Sequence, residues 1–321
     1  MKYAVNLDII QRAAERIAPW VNRTPVLTCS TLDHLADRRL FFKCENFQKV
    51  GAFKFRGACN AVMSLSDGEA RRGVVTHSSG NHAQALALAA RLRGIDCHIV
   101  MPSTSKAVKK RAVEGYGGRV HLCEPTLQAR ESTAARVVAE TGATFIHPYD
   151  DPRVIAGQGT AALELLEQAP GLDGVVVPVG GGGLTSGVTL AARGLDDRIR
   201  VFAAEPAGAD DAARSKAAGA FVPQTGPDTL CDGLLTSLGE LTWPVVRDLV
   251  EDVITVPDGP VVAAMRLVWE RMKILIEPSS AVTLAVILDE RFISLEGLAN
   301  VGVVFSGGNV DLDDLPWNRN E

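Results

Sequence analysis

A lysine set between two aromatic residues, Phe53-Lys54-Phe55, lies near the expected start of a helix that runs to Ser64. Apolar neighbours disfavour an ammonium and lower its pKa, which is what a lysine needs if it is to attack an aldehyde as a neutral amine. A lysine at a helix end more often snorkels to solvent, so Lys54 acquires chemical meaning only from its company. Thr76-His77-Ser78-Ser79-Gly80-Asn81-His82 joins an expected strand to an expected helix, where backbone N–H groups and hydroxyls can capture a carboxylate. An ordinary Ser/Asn helix cap accounts for one or two of these polar residues but not for the run. Pro178-Val179-Gly180-Gly181-Gly182-Gly183-Leu184 occupies a similar junction, and its four glycines let the backbone wrap closely around a phosphate or simply make a tight connection. Phe305-Ser306-Gly307-Gly308-Asn309 follows the last expected strand and offers a hydroxyl to a heterocyclic nitrogen.

The glycine run is not a dinucleotide fingerprint, because the third glycine of G-x-G-x-x-G would fall on Thr185 or Ser186, and no G-K-[ST] follows to make a P-loop. Gly-x-Ser-x-Gly is absent, which leaves a serine hydrolase without support.

The elements that must position these segments are legible as short β-branched runs alternating with Ala- and Leu-rich helical stretches, the pattern of an α/β protein with largely parallel strands. Strands are expected at Leu40–Cys44, Gly73–His77, Cys97–Met101, Arg119–Cys123, Thr144–Ile146, Gly174–Pro178, Val201–Glu205, Asp252–Val256 and Val301–Phe305. So many strands exceed one ordinary sheet, and two are expected. Helices are expected over Asn81–Arg93, closed by Gly94, and over Lys106–Tyr116, closed by Gly117-Gly118. The evenly spaced units of residues 73–148 read as a small α/β domain inserted into a larger one formed by residues 1–72 and 149–321. No further regulatory domain is expected after the last strand.

With 321 residues, 46% of them hydrophobic, the chain can bury a sizeable core. A net charge of -5 leaves no basic surplus for nucleic acid, so a small-molecule ligand is expected. Six scattered cysteines form no C-x-x-C pair and read as reduced thiols. Neither a signal peptide nor a membrane span is evident, and a cytoplasmic location is expected.

In their order and separations, the four segments resemble the fold-type II pyridoxal-phosphate (PLP) enzymes of the serine racemase and serine/threonine dehydratase group, which includes 3-hydroxyaspartate dehydratases. Lys43-Cys44-Glu45-Asn46-Phe47-Gln48-Lys49, Val154-Ile155-Ala156-Gly157-Gln158-Gly159-Thr160, Ala204-Glu205-Pro206 and Ile276-Glu277-Pro278 extend the resemblance over nearly the whole chain. It implies two open twisted α/β domains, similar to the tryptophan synthase β fold, with the cofactor between them, and a homodimer.

The resemblance further implies that Lys54 carries PLP as a Schiff base and removes the α-proton, and that Phe53 packs on the cofactor ring. Asn81 would bond its 3-hydroxyl, Gly180, Gly181, Gly182, Gly183 and Leu184 its phosphate, and Ser306 its pyridine nitrogen. Ser78, Ser79, Asn81 and His82 would bind the substrate carboxylate, with Arg130 and Thr236 as more distant contacts. In serine racemases the serine matching Ser79 faces the substrate opposite the lysine, so two bases permit inversion; many threonine dehydratases have alanine there. Glu205, the Ala209 carbonyl and Asp211 match a divalent-cation site suited to Mg2+, or to Ca2+ or Mn2+. The implied activity is an ammonia-lyase (dehydratase) acting on L-serine, L-threonine or 3-hydroxyaspartate. The alternative is an amino-acid racemase that uses Lys54 and Ser79. A hydroxyaspartate needs a partner for its second carboxylate, for which Arg130 and the Lys106–Arg111 cluster are candidates.

Overall fold

The computed structural model describes residues 2–318. Its strands are β1 (Val26–Leu27), β2 (Arg39–Cys44), β3 (Val74–His77), β4 (Cys97–Pro102), β5 (Arg119–Cys123), β6 (Thr144–Phe145), β7 (Gly174–Pro178), β8 (Arg200–Pro206), β9 (Asp252–Val256) and β10 (Asn300–Phe305). They form a six-stranded sheet in the order β1-β2-β10-β7-β8-β9 and a four-stranded sheet in the order β5-β4-β3-β6. All pairings are parallel except β1 with β2. Parallel strands are covered by helices on both faces, which explains the unbroken Val176-Val177 and Val303-Val304 runs, all fully buried.

All nine expected strands are present, and β1 is the addition. Its two residues pair with Phe42 and Lys43 and are too few to carry a periodic signal. The Asn81–Arg93 helix has the expected bounds and is closed by Gly94 at φ 72°, a left-handed conformation that glycine adopts without strain. The second expected helix spans Ala107–Gly115, with Lys106 and Tyr116 as its caps.

The two sheets meet through helix packing. The Lys54–Met63 helix lies against both Asn81–Arg93 and Pro152–Gln168, and Gly57 and Gly157 make the second crossing possible. A Cβ on Gly157 would come within 2.6 Å of the Gly57 Cα. A buried ionic cluster fixes the same junction. Arg56 bridges Glu45 and Glu164 at 2.7 Å each, and Lys43 reaches Glu164 at 2.6 Å.

Candidate active site

Every segment singled out for chemistry leaves the carboxyl end of a parallel strand, the edge at which open α/β sheets bind ligands. After β2 the chain makes two 3-10 turns, Glu45–Phe47 and Lys49–Gly51, before the helix that opens on Lys54. This stretch is clasped by the loop after β10: the Phe53 N–H donates to the Ser306 carbonyl and the Gly308 N–H to the Gly51 carbonyl, both at 2.9 Å.

Lys54 is half-buried, and its Nζ donates to the Pro148 carbonyl at 2.9 Å. The nitrogen stands 5.1 Å from the centre of the Phe53 ring. Phe55 is turned away into the core, so one aromatic, not two, faces the lysine. Burial lowers the Lys54 pKa to about 8 against the opposing pull of Glu277.

Asn81 opens its helix, and its Nδ2 donates to the Glu277 carboxylate at 3.1 and 3.3 Å, while its Oδ1 accepts from Asn309 at 2.9 Å. Burial pushes the Glu277 carboxyl up to about 7. The residue capping this helix is Gly80, and no side chain caps it. Ser79 therefore does not serve as an ordinary helix cap, while the Ser78 Oγ accepts from the Gly80 N–H at 3.3 Å. The His82 imidazole is buried with neither nitrogen fully hydrogen-bonded, and burial drops its pKa well below the usual value. The neutral ring keeps one N–H donor, and the first-turn N–H of His82 is a second group that can meet a carboxylate.

Gly180, Gly181, Gly182, Gly183 and Leu184 are all buried, with Gly182 at φ 82° as the cap of the Gly183–Leu195 helix. The glycines at 181 and 183 serve a purpose not read from the sequence. A Cβ on Gly181 would lie 2.3 Å from the Tyr149 ring, and one on Gly183 would lie 2.8 Å from the Tyr149 carbonyl. Ser306 is buried with its Oγ 3.1 Å from that of Ser280.

Arg130 and Thr236, remote in sequence, both act on the electrostatics of Tyr149. Burial raises the Tyr149 phenol above its ordinary pKa, and the Thr236 side chain and, more weakly, the Arg130 charge oppose that rise. Arg130 Nε is buried without a partner. By contrast Lys106 pairs with Asp311 at 3.2 Å and Lys109 with Asp232 at 3.1 Å, so both are already engaged.

At the end of β8, the Glu205 carboxylate accepts the N–H groups of Ala212 and Ala213 at 2.9 Å each, which caps the Asp211–Ala218 helix. Asp211 Oδ2 accepts from the Leu238 N–H at 3.0 Å, while its Oδ1 is buried with no partner. Burial raises Glu205 to about 8 and Asp211 to about 6. Ala209 is buried in the intervening 3-10 turn. Among the described residues no group of three His, Cys, Asp or Glu side chains could hold a metal.

Tyr149, Glu277, Ser280 and His147 escaped selection as site residues. The Ile276-Glu277-Pro278 stretch was visible only as part of a resemblance, and His147-Pro148-Tyr149-Asp150 carried only the signal of a polar, proline-bearing turn after a strand.

The sequence profile of the pyridoxal-phosphate dependent enzymes matches residues 17–307. The chain belongs to this family. This PLP-dependent enzyme is 54% identical over 318 residues to the β-hydroxyaspartate dehydratase of Paracoccus denitrificans, covering 98% of this chain and 100% of that one. It is 53% identical over 320 residues to the serine racemase of Arabidopsis thaliana, covering 99% and 96%. The structure of maize serine racemase superposes with a TM-score of 0.96 at 50% identity, covering 98% and 97%. Among the described residues, no helix of the enzyme is long and apolar enough to cross a membrane.

The donor set fits the cofactor. An amine with a lowered pKa, the free first-turn amides of the Gly183–Leu195 helix, and the Asn81 and Ser306 side chains are the groups an aldehyde, a phosphate and a hydroxypyridine ring require.

Proposed function

We propose that this enzyme is a PLP-dependent ammonia-lyase that removes water from a small β-hydroxy amino acid, L-serine, L-threonine or 3-hydroxyaspartate. The resulting enamine hydrolyses to a keto acid and ammonium. The observation that carries the reading is the Lys54 amine, held by the Pro148 carbonyl at 2.9 Å and lowered by burial to a pKa of about 8. The full-length likeness to a β-hydroxyaspartate dehydratase supports it.

Bound PLP supplies the electron sink for the pair left when the α-proton departs. In our reading Lys54 anchors the cofactor and takes that proton. Phe53 flanks the ring, Asn81 faces its hydroxyl, Ser306 its nitrogen, and Gly180 to Leu184 hold its phosphate. Ser306 is neutral and already shares hydrogen bonding with Ser280, so it leaves the ring nitrogen largely unprotonated, which suits elimination. Ser78, Ser79 and the first-turn amides of Asn81 and His82 hold the substrate carboxylate. Arg130, with Tyr149 and Thr236 beside it, forms the polar wall that meets the substituent on the β-carbon.

A racemase is the second reading, favoured by Ser79. Its hydroxyl does not cap the helix, which supports the role of a second base, opposed to Lys54, that the resemblance implies. Glu205, Asp211 and the Ala209 carbonyl would hold Mg2+, Ca2+ or Mn2+, a role supported by the unpartnered Asp211 Oδ1. We further infer a small domain of residues 73–148 inserted between 1–72 and 149–321, a homodimer, and a cytoplasmic location.

The test is an end-product assay on L-serine, L-threonine and the 3-hydroxyaspartate isomers, with and without magnesium and chelator. Keto acid and ammonium in equal amounts are expected, and D-serine accumulating ahead of pyruvate would instead favour the racemase. Ser79→Ala is expected to abolish inversion and leave elimination standing; an unchanged rate of inversion would rule out Ser79 as the second base.

A further inference from the structure

His147 lies outside every role assigned above, yet the turn it begins touches Lys54, the glycine loop and the Glu240-Leu241 backbone. Its Nδ1 accepts the N–H of Asp150 at 2.8 Å and that of Tyr149 at 3.3 Å. These are the i+2 and i+3 amides that an Asn or Asp side chain gathers in an Asx turn, and here an imidazole does the gathering. Pro148, in between, has no N–H to contribute. The gathered turn faces the Pro148 carbonyl to the Lys54 Nζ at 2.9 Å. It also lays the Tyr149 ring where a Gly181 Cβ would be. Its last residue, Asp150, accepts from the Glu240 and Leu241 N–H groups at 3.1 and 2.9 Å.

The ring itself is fixed. It meets Tyr149 edge to face with centroids 4.5 Å apart, and His77 edge to face at 5.9 Å. A nitrogen that accepts two N–H groups must present a lone pair, so the proton of the neutral ring resides on Nε2. Burial, His77 and Lys54 lower the His147 pKa to about 4 against the pull of Asp151, in accord with a neutral ring.

We propose that His147 is a positioning residue, a neutral Nε2–H imidazole whose Nδ1 folds the turn that aims the Pro148 carbonyl at Lys54 and seats Tyr149 on the glycine loop. The proposal rests on Lys54 being the cofactor-anchoring lysine. It assigns His147 no proton transfer, because the nitrogen that acts is engaged by backbone amides. What it controls is where the Lys54 nitrogen rests before it meets an aldehyde, and how Tyr149 stands toward the β-substituent.

Two measurements test this. In the holoenzyme with 15N-labelled histidine, six ring systems are present, and the His147 signals are assigned by their loss in His147→Asn. A pyridine-type Nδ1 and a pyrrole-type Nε2 are expected, and the reverse tautomer or a cationic ring would overturn the proposal. The second compares His147→Asn, whose Oδ1 falls near the Nδ1 position, with His147→Gln and His147→Ala, which place no acceptor there.

The readouts are the rate of cofactor capture by the apoprotein and the separate changes in kcat and KM. Asn is expected to stay within about threefold of the native protein, with Gln and Ala slower by about tenfold or more, a split that marks a lost orienting contact. Gln equalling or exceeding Asn, or all three behaving alike, would overturn it. A native protein that captures no cofactor would refute the role of Lys54 instead, and the tautomer measurement still reads His147 independently.

Discussion

The Lys54 Nζ donates to the Pro148 carbonyl at 2.9 Å, so an amine in the first fifth of the chain is held by a backbone oxygen 94 residues later. Burial favours the neutral amine, and Pro148 orients it without supplying a charge that would restore the ammonium. With a pKa lowered from 10.5 to about 8, the reactive neutral form grows as pH rises through 8. The rate of cofactor capture by the apoprotein is accordingly expected to climb with a midpoint near pH 8, followed by visible absorbance. A midpoint above pH 10 would show that the lysine is solvated before the cofactor arrives.

The Glu205 and Asp211 carboxyls bind protons more tightly in the folded protein than their ordinary values of 4.5 and 3.8 allow, reaching about 8 and 6. The metal-free protein should therefore lose stability as pH rises from those ordinary values through 6 to 8. A divalent cation held there, as proposed, would compete with these protons, so its stabilisation should be larger at pH 8 than at pH 6. At a hundredfold excess over Kd the gain is about 2.7 kcal/mol. Thermal melts with Mg2+ and with chelator read this directly, and Asp211→Asn is expected to remove most of the difference.

Glu164 sits between two buried cations, Lys43 and Arg56. Glu164→Ala would leave Glu45 alone to balance both, and breaking a buried pair from one side costs about 3–5 kcal/mol. Burial pushes the Glu164 carboxyl up, but its hydrogen bonds to Arg56 and Lys43 outweigh this and hold it below 4.5. Its contribution is thus present above that value and lost as pH falls through the depressed one. Urea denaturation of the variant should show a lower midpoint at pH 7, with the deficit narrowing in acid.

Tyr149→Phe removes the phenol on which Thr236 and Arg130 act electrostatically, while leaving the ring on Gly181. A single neutral hydrogen bond contributes about 1 kcal/mol. For 3-hydroxyaspartate we expect kcat/KM to fall by about fivefold, mostly through KM, since 1.4 kcal/mol corresponds to tenfold. L-Serine carries no second carboxylate and should change by less than about twofold on the same scale. Equal losses on the two substrates would place the phenol elsewhere in the reaction.

Local sequence was most informative where one signal determined one element. The β-branched runs at Val175-Val176-Val177 and Val301-Gly302-Val303-Val304 became β7 and β10, and Gly94 closed its helix as a left-handed cap. Junction motifs were legible for the same reason, since a strand followed by glycine or serine and then a helix exposes backbone amides wherever it occurs. Two-residue β1 was beyond reach, because pairing with β2 rather than periodicity defines it.

What the sequence determined by itself was the set of reactive groups and the strand ends that carry them: Lys54, the Ser78–Asn81 turn, the four glycines and Ser306. Only the tertiary structure decided their partners. It gave Lys54 the Pro148 carbonyl, Asn81 the Glu277 carboxylate, and Gly181 the Tyr149 ring, while turning His82 into the core. The physical reason is that a helix or strand is specified by neighbours a few residues away. A buried donor takes whatever acceptor the packing brings within about 3 Å, however distant it is along the chain.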